Sequence, residues 1–328
     1  MEAILQWGLD CIRFVQSFAS PSLTECMRII TMLGAAHIYI VLLPAIYWCV
    51  DEKKGLRLSL MVLISVWVNI SLKLLLDQPR PFCAAYDPSV GMISERMGGF
   101  PSGHAQNSLV IFAIIVSWVK RKKIFGIVLA IAAVLCVLIG FSRIYLGVHF
   151  PTDVLGGWII GAALLCAYFF LADRIETLLA KGGFRAGMIA AAALSFIMIL
   201  YLPEGASLMP GGTVLGLGVG YCLFRSMKGS TNDTNDTNNV SIRIYSRDSL
   251  IFILKLLVRF LLGITGMILI FKAFGKIIPQ DMYAAHHTLF EFVRYALTGL
   301  WISAGAPWIF RFVRLAKSAT GNAKQEPQ

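Results

Sequence analysis

Charged residues are scarce in this chain of 328 residues: aspartate, glutamate, lysine and arginine together make up only 14% of it. Soluble domains contain about 25% charged residues. The shortage therefore excludes an ordinary water-soluble protein, and the abundance of apolar residues excludes a disordered one. Hydrophobic residues account for 57% of the chain and the mean hydropathy is +0.73. The composition predicts an integral membrane protein.

Paired cysteines are also missing. The seven cysteines include no CxxC spacing, and most lie in apolar runs, where a thiol behaves as a small hydrophobic group. We therefore expect neither a disulfide framework nor a structural zinc site. The net charge of +11 does not indicate nucleic acid as a partner, because most basic residues lie in short loops between apolar segments.

Nine apolar segments approach the roughly 20 residues that a transmembrane helix needs. The predicted fold is an all-α, polytopic membrane helical bundle. Residues 1–20 precede it and predict an amphipathic helix in the membrane interface, because their polar residues recur on one helical face. The predicted spans are 22–50, 56–76, 104–119, 124–142, 154–172, 186–202, 210–226, 249–272 and 285–312.

Lysines and arginines concentrate in alternate loops of this layout and in the C-terminal tail. The positive-inside rule assigns that side to the cytoplasm. The loops 77–103 and 143–153 then face outward, and the C-terminus is cytoplasmic. We expect the plasma (inner) membrane as the location. Residues 227–247 are polar and rich in Asn, Asp and Thr, which predicts a flexible cytoplasmic linker.

Three short polar segments interrupt the apolar chain, all on the outward side. The first reads K-x6-R-P from Lys73 to Pro81, and the second reads P-S-G-H from Pro101 to His104. The third reads S-R-x5-H-x3-D and ends at Asp153. Any one of these side chains alone would more often anchor or cap a helix end, but the three segments together indicate a polar site.

The residue types suit the chemistry of a phosphate ester. Lys73, Arg80 and Arg143 supply three cations for phosphoryl oxygens, and a helix that begins near Ser102 offers unpaired N–H groups. His149 and Asp153 lie four residues apart, so the carboxylate can hold one imidazole nitrogen and leave the other free to attack phosphorus.

A metal site is the alternative interpretation of the same side chains. It would use His104, His149, Asp153 and Asp77 as ligands. Three nearby cations would repel a divalent ion, so the residues favour chemistry without a metal or any other cofactor.

Taken together, the three segments resemble the signature of the type-2 phosphatidic acid phosphatase superfamily over roughly residues 56–172. The resemblance implies a six-helix phosphatase core, here residues 21–202, and leaves 203–328 as an extension with about three more transmembrane helices. It implies that His149 is a nucleophile that becomes phosphorylated, that Asp153 orients it, and that His104 protonates the leaving group and later activates water. The residues that it implies for substrate binding are Lys73, Arg80, Ser102, Gly103 and Arg143.

The expected substrate is a lipid phosphate or lipid diphosphate in the bilayer, because the polar segments lie at the level of the headgroups. Two alternatives stay open: a soluble phosphate ester, as in the similar glucose-6-phosphatase branch, and a phospholipid-binding transporter that does not hydrolyse its ligand. The sequence identifies neither the particular lipid nor the oligomeric state. In the extension, Glu291 and Arg294 are three residues apart and predict an ion pair on one helix.

Overall fold

The structure is a computed structural model that describes residues 2–95, 97–201, 207–229, 248–277, 282–283 and 286–313. Within these ranges it is built from helices, and none of the described residues forms a strand. The predicted all-α membrane bundle is confirmed.

The helices follow the apolar segments of the sequence. In chain order they are α1 Glu2–Gln16, α2 Pro21–Met32, α3 Ala36–Ala45, α4 Glu52–Leu76, α5 Gly103–Ser117, α6 Lys122–Tyr145, α7 Pro151–Tyr201, α8 Leu208–Gly229, α9 Asp248–Ile277, α10 His287–Leu300 and α11 Ala306–Phe312. Short π-helical turns at Ile46–Val50 and Trp301–Gly305 follow α3 and α10.

The predicted span 22–50 is not one straight helix. The chain breaks after α2, and the two halves differ in direction by 43°. Gly34 lies in the break, where an added Cβ would lie only 2.7 Å from Cγ2 of Ile139. Glycine also favours the break because it is a poor helix former.

The predicted spans 154–172 and 186–202 lie on either side of a kink within the range of α7, apart from residue 202, which lies outside the described residues. Lys, Arg and Glu are good helix formers, so the first helix continues past residue 172 into the charged stretch, as far as the kink. The backbone leaves helical geometry at Gly183, with φ 62° and ψ −149°. Glycine adopts positive φ without the steric penalty of a side chain.

Fewer helices than the nine predicted segments are both long enough and apolar enough to cross a membrane. Among the described residues, four do so, and the bent pair α2–α3 would add a fifth. The four are Glu52–Leu76, Lys122–Tyr145, Pro151–Leu200 and Leu250–Phe274. The helix α5 is apolar but has only 15 residues.

Two compact units make up the chain. Unit 1 consists of residues 1–40 and 58–177, and unit 2 consists of residues 41–57 and 178–328. All three polar segments belong to unit 1. The predicted domain limits at residues 20 and 202 stay predictions. Most of the predicted linker 227–247, from residue 230 onward, lies outside the described residues.

Within unit 1, α1 packs against the turn between α6 and α7 that carries the third polar segment. Ile12 is fully buried against Phe150 of this turn. The side-chain amide of Gln16 donates hydrogen bonds of 2.8 Å to the carbonyls of Val90 and Tyr145. The amphipathic pattern of α1 therefore provides an apolar face that supports the turn.

Candidate active site

The three polar segments meet where four helix ends of unit 1 come together. Lys73 lies in the last turn of α4, Ser102 caps α5, Arg143 lies in the last turn of α6, and Asp153 lies in the first turn of α7. The backbone N–H of Ser102 donates to the carbonyl of Asp153 at 2.9 Å. All four side chains are buried. The structure thus brings together segments that are up to 80 residues apart in sequence.

Arg80 owes its position to the end of α4. The helix stops before Asp77, which has φ 37° and donates its N–H to the carbonyl of Lys73 at 3.0 Å. Aspartate tolerates the left-handed conformation better than most residues. The guanidinium of Arg80 then donates to the carbonyls of Met97 (2.6 Å, from Nε) and Val148 (2.8 Å, from Nη1). Arg80 is therefore held in a fixed position at the site.

His149 and Asp153 form the pair that their spacing predicts. Nδ1 of His149 lies 3.2 Å from Oδ2 of Asp153, and the same oxygen accepts the backbone N–H of Phe150 at 3.0 Å. The other oxygen, Oδ1, accepts from the side-chain amide of Gln78 at 3.0 Å. Because a carboxylate only accepts hydrogen bonds, this arrangement places the imidazole proton on Nδ1.

The second nitrogen of His149 is directed toward a cation. Nε2 lies 3.3 Å from Nη1 of Arg80. Burial lowers the pKa of His149 well below its ordinary value, and the positive charges of Arg80, Arg143 and Lys73 lower it further. The imidazole is therefore neutral at neutral pH, with the lone pair of Nε2 facing the cationic part of the site.

Gly147 makes the turn before His149 possible. Its φ is +69°, and an added Cβ would lie 1.8 Å from the carbonyl oxygen of Val90. No other residue fits a contact this close. This glycine lets the chain reverse between Arg143 and His149, so that both side chains reach the same site.

The start of α5 presents free backbone donors. The hydroxyl of Ser102 accepts the N–H of Ala105 at 3.5 Å and thus caps the helix. Within the described part of the chain, the N–H groups of Gly103 and His104 have no hydrogen-bond acceptor. Unpaired amides at a helix start favour an anion.

A buried polar network supports this helix start from below. The amide of Asn69 donates to the carbonyl of Pro101 at 3.2 Å and to Oε1 of Gln106 at 2.9 Å. Gln106 in turn donates to the carbonyl and hydroxyl of Ser65. A Cβ on Gly103 would lie 3.0 Å from Oδ1 of Asn69, so the close packing needs a glycine.

Lys73 is buried and bonded to the loop that closes the site. Its ammonium group donates to the carbonyl of Gly98, and to that of Gly99 at 3.1 Å. Its charge still acts on His149. The predicted role of Lys73 in binding substrate stays a prediction, and its direct contacts are with the backbone of this loop.

Arg143 meets a carboxylate that the sequence motifs do not include. Its Nη1 donates to the hydroxyl of Thr31 at 2.8 Å, and its Nη2 is hydrogen-bonded to Glu95. The other carboxylate oxygen of Glu95 lies 3.9 Å from Nη2 of Arg80. Burial lowers the pKa of Arg80, and the charge of Glu95 opposes that effect. Glu95 thus faces both arginines of the site.

His104 is the least constrained of the predicted catalytic residues. It is the second residue of α5, and its ring packs near Gly34, where an added Cβ would lie 3.0 Å from Cδ2. None of the described residues accepts from or donates to its ring nitrogens. It lies close enough to His149 for its charge to affect the pKa of that residue. A half-buried imidazole of this kind is able to exchange protons with a bound molecule.

The alternative metal site has no matching geometry. In the part of the chain that the structure describes, no three His, Cys, Asp or Glu side chains cluster closely enough to hold a metal ion. His149 is hydrogen-bonded to Asp153 through one nitrogen and faces Arg80 through the other.

Sequence reasoning missed Gln78, Glu95, Asn69 and Gln106 as parts of the site. A signal existed for Asn69 and Gln106, because each is a polar residue inside an apolar predicted span. Glu95 lies in an irregular loop where no periodicity predicts a contact. Gln78 lies within the first motif, at a position that the motif leaves open.

The family profile described as the PAP2 superfamily matches residues 54–175, and the profile described as the PAP2 superfamily phosphatase transmembrane extension matches residues 208–318. The chain is 35% identical over 168 residues to phosphatidylglycerophosphatase B of Bacillus subtilis. The matched region covers 48% of this chain and 76% of that protein. The chain belongs to the PAP2 superfamily. The predicted family and the predicted enzyme class, a phosphatase, are confirmed.

The chain is also similar to a second curated protein and to a solved structure. Sphingosine-1-phosphate phosphatase 2 of Mus musculus is 30% identical over 155 residues, which is 46% of this chain and 43% of that protein. The crystal structure of the first transmembrane PAP2 type phosphatidylglycerolphosphate phosphatase from Bacillus subtilis has a TM-score of 0.47 and 31% identity, and the match covers 53% of this chain and 88% of that one. The chain thus spans three quarters of one curated relative and less than half of the other.

Proposed function

We propose that this protein hydrolyses a lipid phosphate or diphosphate without a metal ion, through a phosphohistidine intermediate on His149. One observation carries the proposal: Asp153 holds the imidazole through Nδ1, and Nε2 is directed toward the cationic part of the site. This is the arrangement that a nitrogen nucleophile needs, because the attacking atom is both unprotonated and aimed.

The reaction proceeds in two displacements. Nε2 of His149 attacks phosphorus while the bond from phosphorus to the lipid oxygen breaks, and His104 gives a proton to that leaving oxygen. The imidazole becomes positively charged, and the carboxylate of Asp153 stabilises that charge. In the second step His104 takes a proton from water as the water oxygen attacks phosphorus. The P–N bond breaks, and inorganic phosphate leaves.

Stabilisation of the transition state falls to the cations and amides around Nε2. Arg80 lies 3.3 Å from Nε2, so it adjoins the position that the transferred phosphoryl group would take. Arg143 and the free N–H groups of Gly103 and His104 supply further donors. Charge spreads over the equatorial oxygens in phosphoryl transfer, so fixed donors of this kind account for most of the acceleration.

A lipid substrate is supported by the surface beside the site. Leu74, Leu75 and Leu76 follow Lys73 directly and are 47%, 71% and 51% exposed. Leu155 and Ile159, just beyond Asp153, are 51% and 69% exposed. Apolar side chains next to a buried cationic site suit a molecule that has a phosphate head and an acyl chain. The names of the two curated relatives, a phosphatidylglycerophosphatase and a sphingosine-1-phosphate phosphatase, agree with this substrate class.

The proposed orientation places the site on the extracytoplasmic face and the C-terminus in the cytoplasm, supported by the basic residues of alternate loops. A single cysteine at Ser89, in a variant without the natural cysteines, tests it in intact cells. We expect a membrane-impermeant thiol reagent to label that cysteine. Labelling only after the membrane is opened would contradict the orientation.

The test of the function is phosphate release by the purified protein in detergent with EDTA present. The panel contains phosphatidate, phosphatidylglycerophosphate, a sphingoid phosphate, a polyprenyl diphosphate and glucose 6-phosphate. We expect release from at least one lipid, acid-labile phosphate on the protein during turnover, and loss of both in His149→Ala. The matched control is His287→Ala, because His287 is exposed and belongs to unit 2.

Three outcomes would contradict the proposal. Release from glucose 6-phosphate alone would indicate a soluble substrate, and loss of activity in EDTA would indicate a metal. Lipid binding without phosphate release, unchanged in His149→Ala, would favour the transporter.

A further inference from the structure

Glu95 lies in the candidate active site but belongs to none of the three sequence motifs. Its carboxylate is hydrogen-bonded to Nη2 of Arg143 through Oε1, and its Oε2 lies 3.9 Å from Nη2 of Arg80. The side chains of the two arginines are 2% and 5% exposed, and that of Glu95 is 29% exposed. A carboxylate therefore sits between two buried guanidinium groups, on their solvent-accessible side.

This position would suit a phosphoryl group bound by both arginines. Arg143 already donates through Nη1 to Thr31, and its Nε is buried without a partner among the described residues. Arg80 already donates to the carbonyls of Met97 and Val148, and its Nη1 lies 3.3 Å from Nε2 of His149. The Nη2 groups that face Glu95 are therefore the donors best placed for a bound anion, and carboxylate and phosphate would compete for them.

The loop around Glu95 is attached on both sides. Before it, the N–H of Met92 donates to the carbonyl of Leu146 at 3.0 Å. After it, the carbonyls of Met97, Gly98 and Gly99 accept from Arg80 and Lys73. Rotation of the Glu95 side chain is thus the simplest movement that frees the arginines, because it leaves these backbone bonds intact.

We propose that Glu95 is the resident anion of the phosphate site and sets its selectivity. The carboxylate neutralises part of the charge of Arg80 and Arg143 while the site is empty, and the substrate's phosphoryl group displaces it. The inference rests on the proposed function in one respect, namely that Arg80 and Arg143 bind the phosphoryl group.

Competition of this kind lowers the affinity of every anion, so that only the more strongly bound class of lipid headgroup occupies the site. A phosphate monoester carries close to two negative charges at neutral pH, whereas the phosphodiester of a bulk membrane lipid carries one. A carboxylate with one charge is displaced readily by the former and poorly by the latter. Glu95 would thus keep abundant phosphodiester headgroups from occupying the two arginines.

The experiment uses the full-length protein in detergent and the variant Glu95→Gln, which keeps the shape and removes the charge. Binding of tungstate, a tetrahedral dianion, is measured by calorimetry. We expect the dissociation constant to fall about tenfold, which corresponds to 1.4 kcal/mol, because the competing charge is gone. We also expect phosphatidylglycerol, a phosphodiester, to inhibit phosphate release by the variant more strongly than by the wild type.

The matched control is Glu25→Gln, the same substitution at an exposed residue whose partner is Arg28. It should leave tungstate binding unchanged. Weaker or unchanged tungstate binding by Glu95→Gln would overturn the inference, and weaker binding would mean that Glu95 holds the arginines in place. A melting temperature that matches the wild type shows that the variant is folded, and Glu95→Asp serves as a second variant, expected to bind tungstate no more tightly than the wild type.

The binding measurement separates this inference from the proposed function. If the wild type hydrolyses no lipid phosphate but Glu95→Gln binds tungstate more tightly than the wild type does, the role of Glu95 is upheld and the proposed function is refuted. Hydrolysis by the wild type together with unchanged binding in the variant would do the reverse.

Discussion

Each of the two units places an arginine beside a glutamate, but the balance of charge differs. In unit 2, Arg294 bonds to Glu291, which also accepts from the hydroxyl of Tyr283. The guanidinium carbon of Arg294 lies 4.2 Å from the ring centroid of Phe271 and 5.4 Å from that of Tyr295. The predicted pair of Glu291 and Arg294 is confirmed, and its two charges balance.

In unit 1, one carboxylate faces two arginines. Glu95 lies between Arg80 and Arg143, and Lys73 adds a third buried cation, so that Glu95 and Asp153 together leave one positive charge unbalanced. Burial of a cation is costly unless it is paired. An ion pair whose charges balance is therefore a structural feature, whereas a surplus of buried positive charge indicates an anionic ligand.

The largest effect that we expect comes from removing one of the surplus cations. Arg80→Ala should lower kcat/KM about a thousandfold, because a fixed arginine next to the transferred phosphoryl group stabilises its transition-state charge. Arg80→Lys should recover only part of the loss, since a lysine cannot make the same directed hydrogen bonds. Phosphate release from the preferred lipid is the measurement.

The control for that substitution is Arg13→Ala. Arg13 pairs with Asp87, where a hydrogen bond from Ser89 and then the bond from Arg13 lower the pKa of the Asp87 carboxyl to about 2. Arg13 is an exposed cation outside the site, so its loss should leave kcat/KM within about twofold. Equal losses in both variants would mean that overall positive charge, rather than the site, governs activity.

Substitution of Gln78 should have a smaller effect on activity. This residue positions Asp153 and does not touch the reacting atoms. Its amide donates to Oδ1 of Asp153 at 3.0 Å. Gln78→Ala should lower kcat by about ten- to a hundredfold and change KM little, since one hydrogen bond to a charged group is worth about 1.5–3 kcal/mol. Gln78→Glu should lose more, because it sets a second carboxylate beside Asp153. A change confined to KM would contradict a positioning role.

The helices and their ends could be predicted well from the sequence where an apolar segment is long and a proline bounds it. The end of α4 before Pro79 and the start of α7 at Pro151 follow directly from the lack of an N–H in proline. The break at Gly34 and the helical conformation of the charged stretch 173–182 could not be predicted. The first depends on a tertiary contact with Ile139, and the second depends on charged residues that are themselves good helix formers.

For the candidate site, spacing alone paired His149 with Asp153, because four residues across a helix start bring the two side chains together. Glu95 has no such local relation, since its partners Arg80 and Arg143 lie 15 and 48 residues away along the chain. Contacts made by an irregular loop depend on how the whole unit packs, and periodicity carries no information about them.

The melting temperature in acid should depend on His149 of unit 1, by a few degrees, and not on the exposed His287 of unit 2. His149, in the turn outside the helices, has a pKa lowered by burial and by the cations, whereas an unfolded histidine titrates near ~6.5. Below that pH the unfolded chain binds the extra proton first, so the stability contributed by neutral His149 is present above pH ~6.5 and is lost as the pH falls toward the lowered value.

The measurement is the melting temperature in detergent between pH 7 and pH 5. The wild type should lose about 2–4 °C more than His149→Gln, which has no such proton to take up. The control is His287→Gln in unit 2, whose side chain is 59% exposed, and its loss should match that of the wild type. An equal loss in the wild type and in His149→Gln would show that other groups account for the acid sensitivity.

The smallest effect on catalysis should come from the balanced pair of unit 2. Arg294→Met leaves Glu291 buried without its cation, and Glu291→Gln leaves Arg294 without its anion, so each single variant should melt a few degrees below the wild type. The double variant should melt closer to the wild type, because no buried charge is left unpaired. Phosphate release should stay within about twofold in all three. A tenfold loss of kcat at an unchanged melting temperature would contradict the comparison, because a balanced pair would then serve catalysis as the surplus cations of unit 1 are proposed to do.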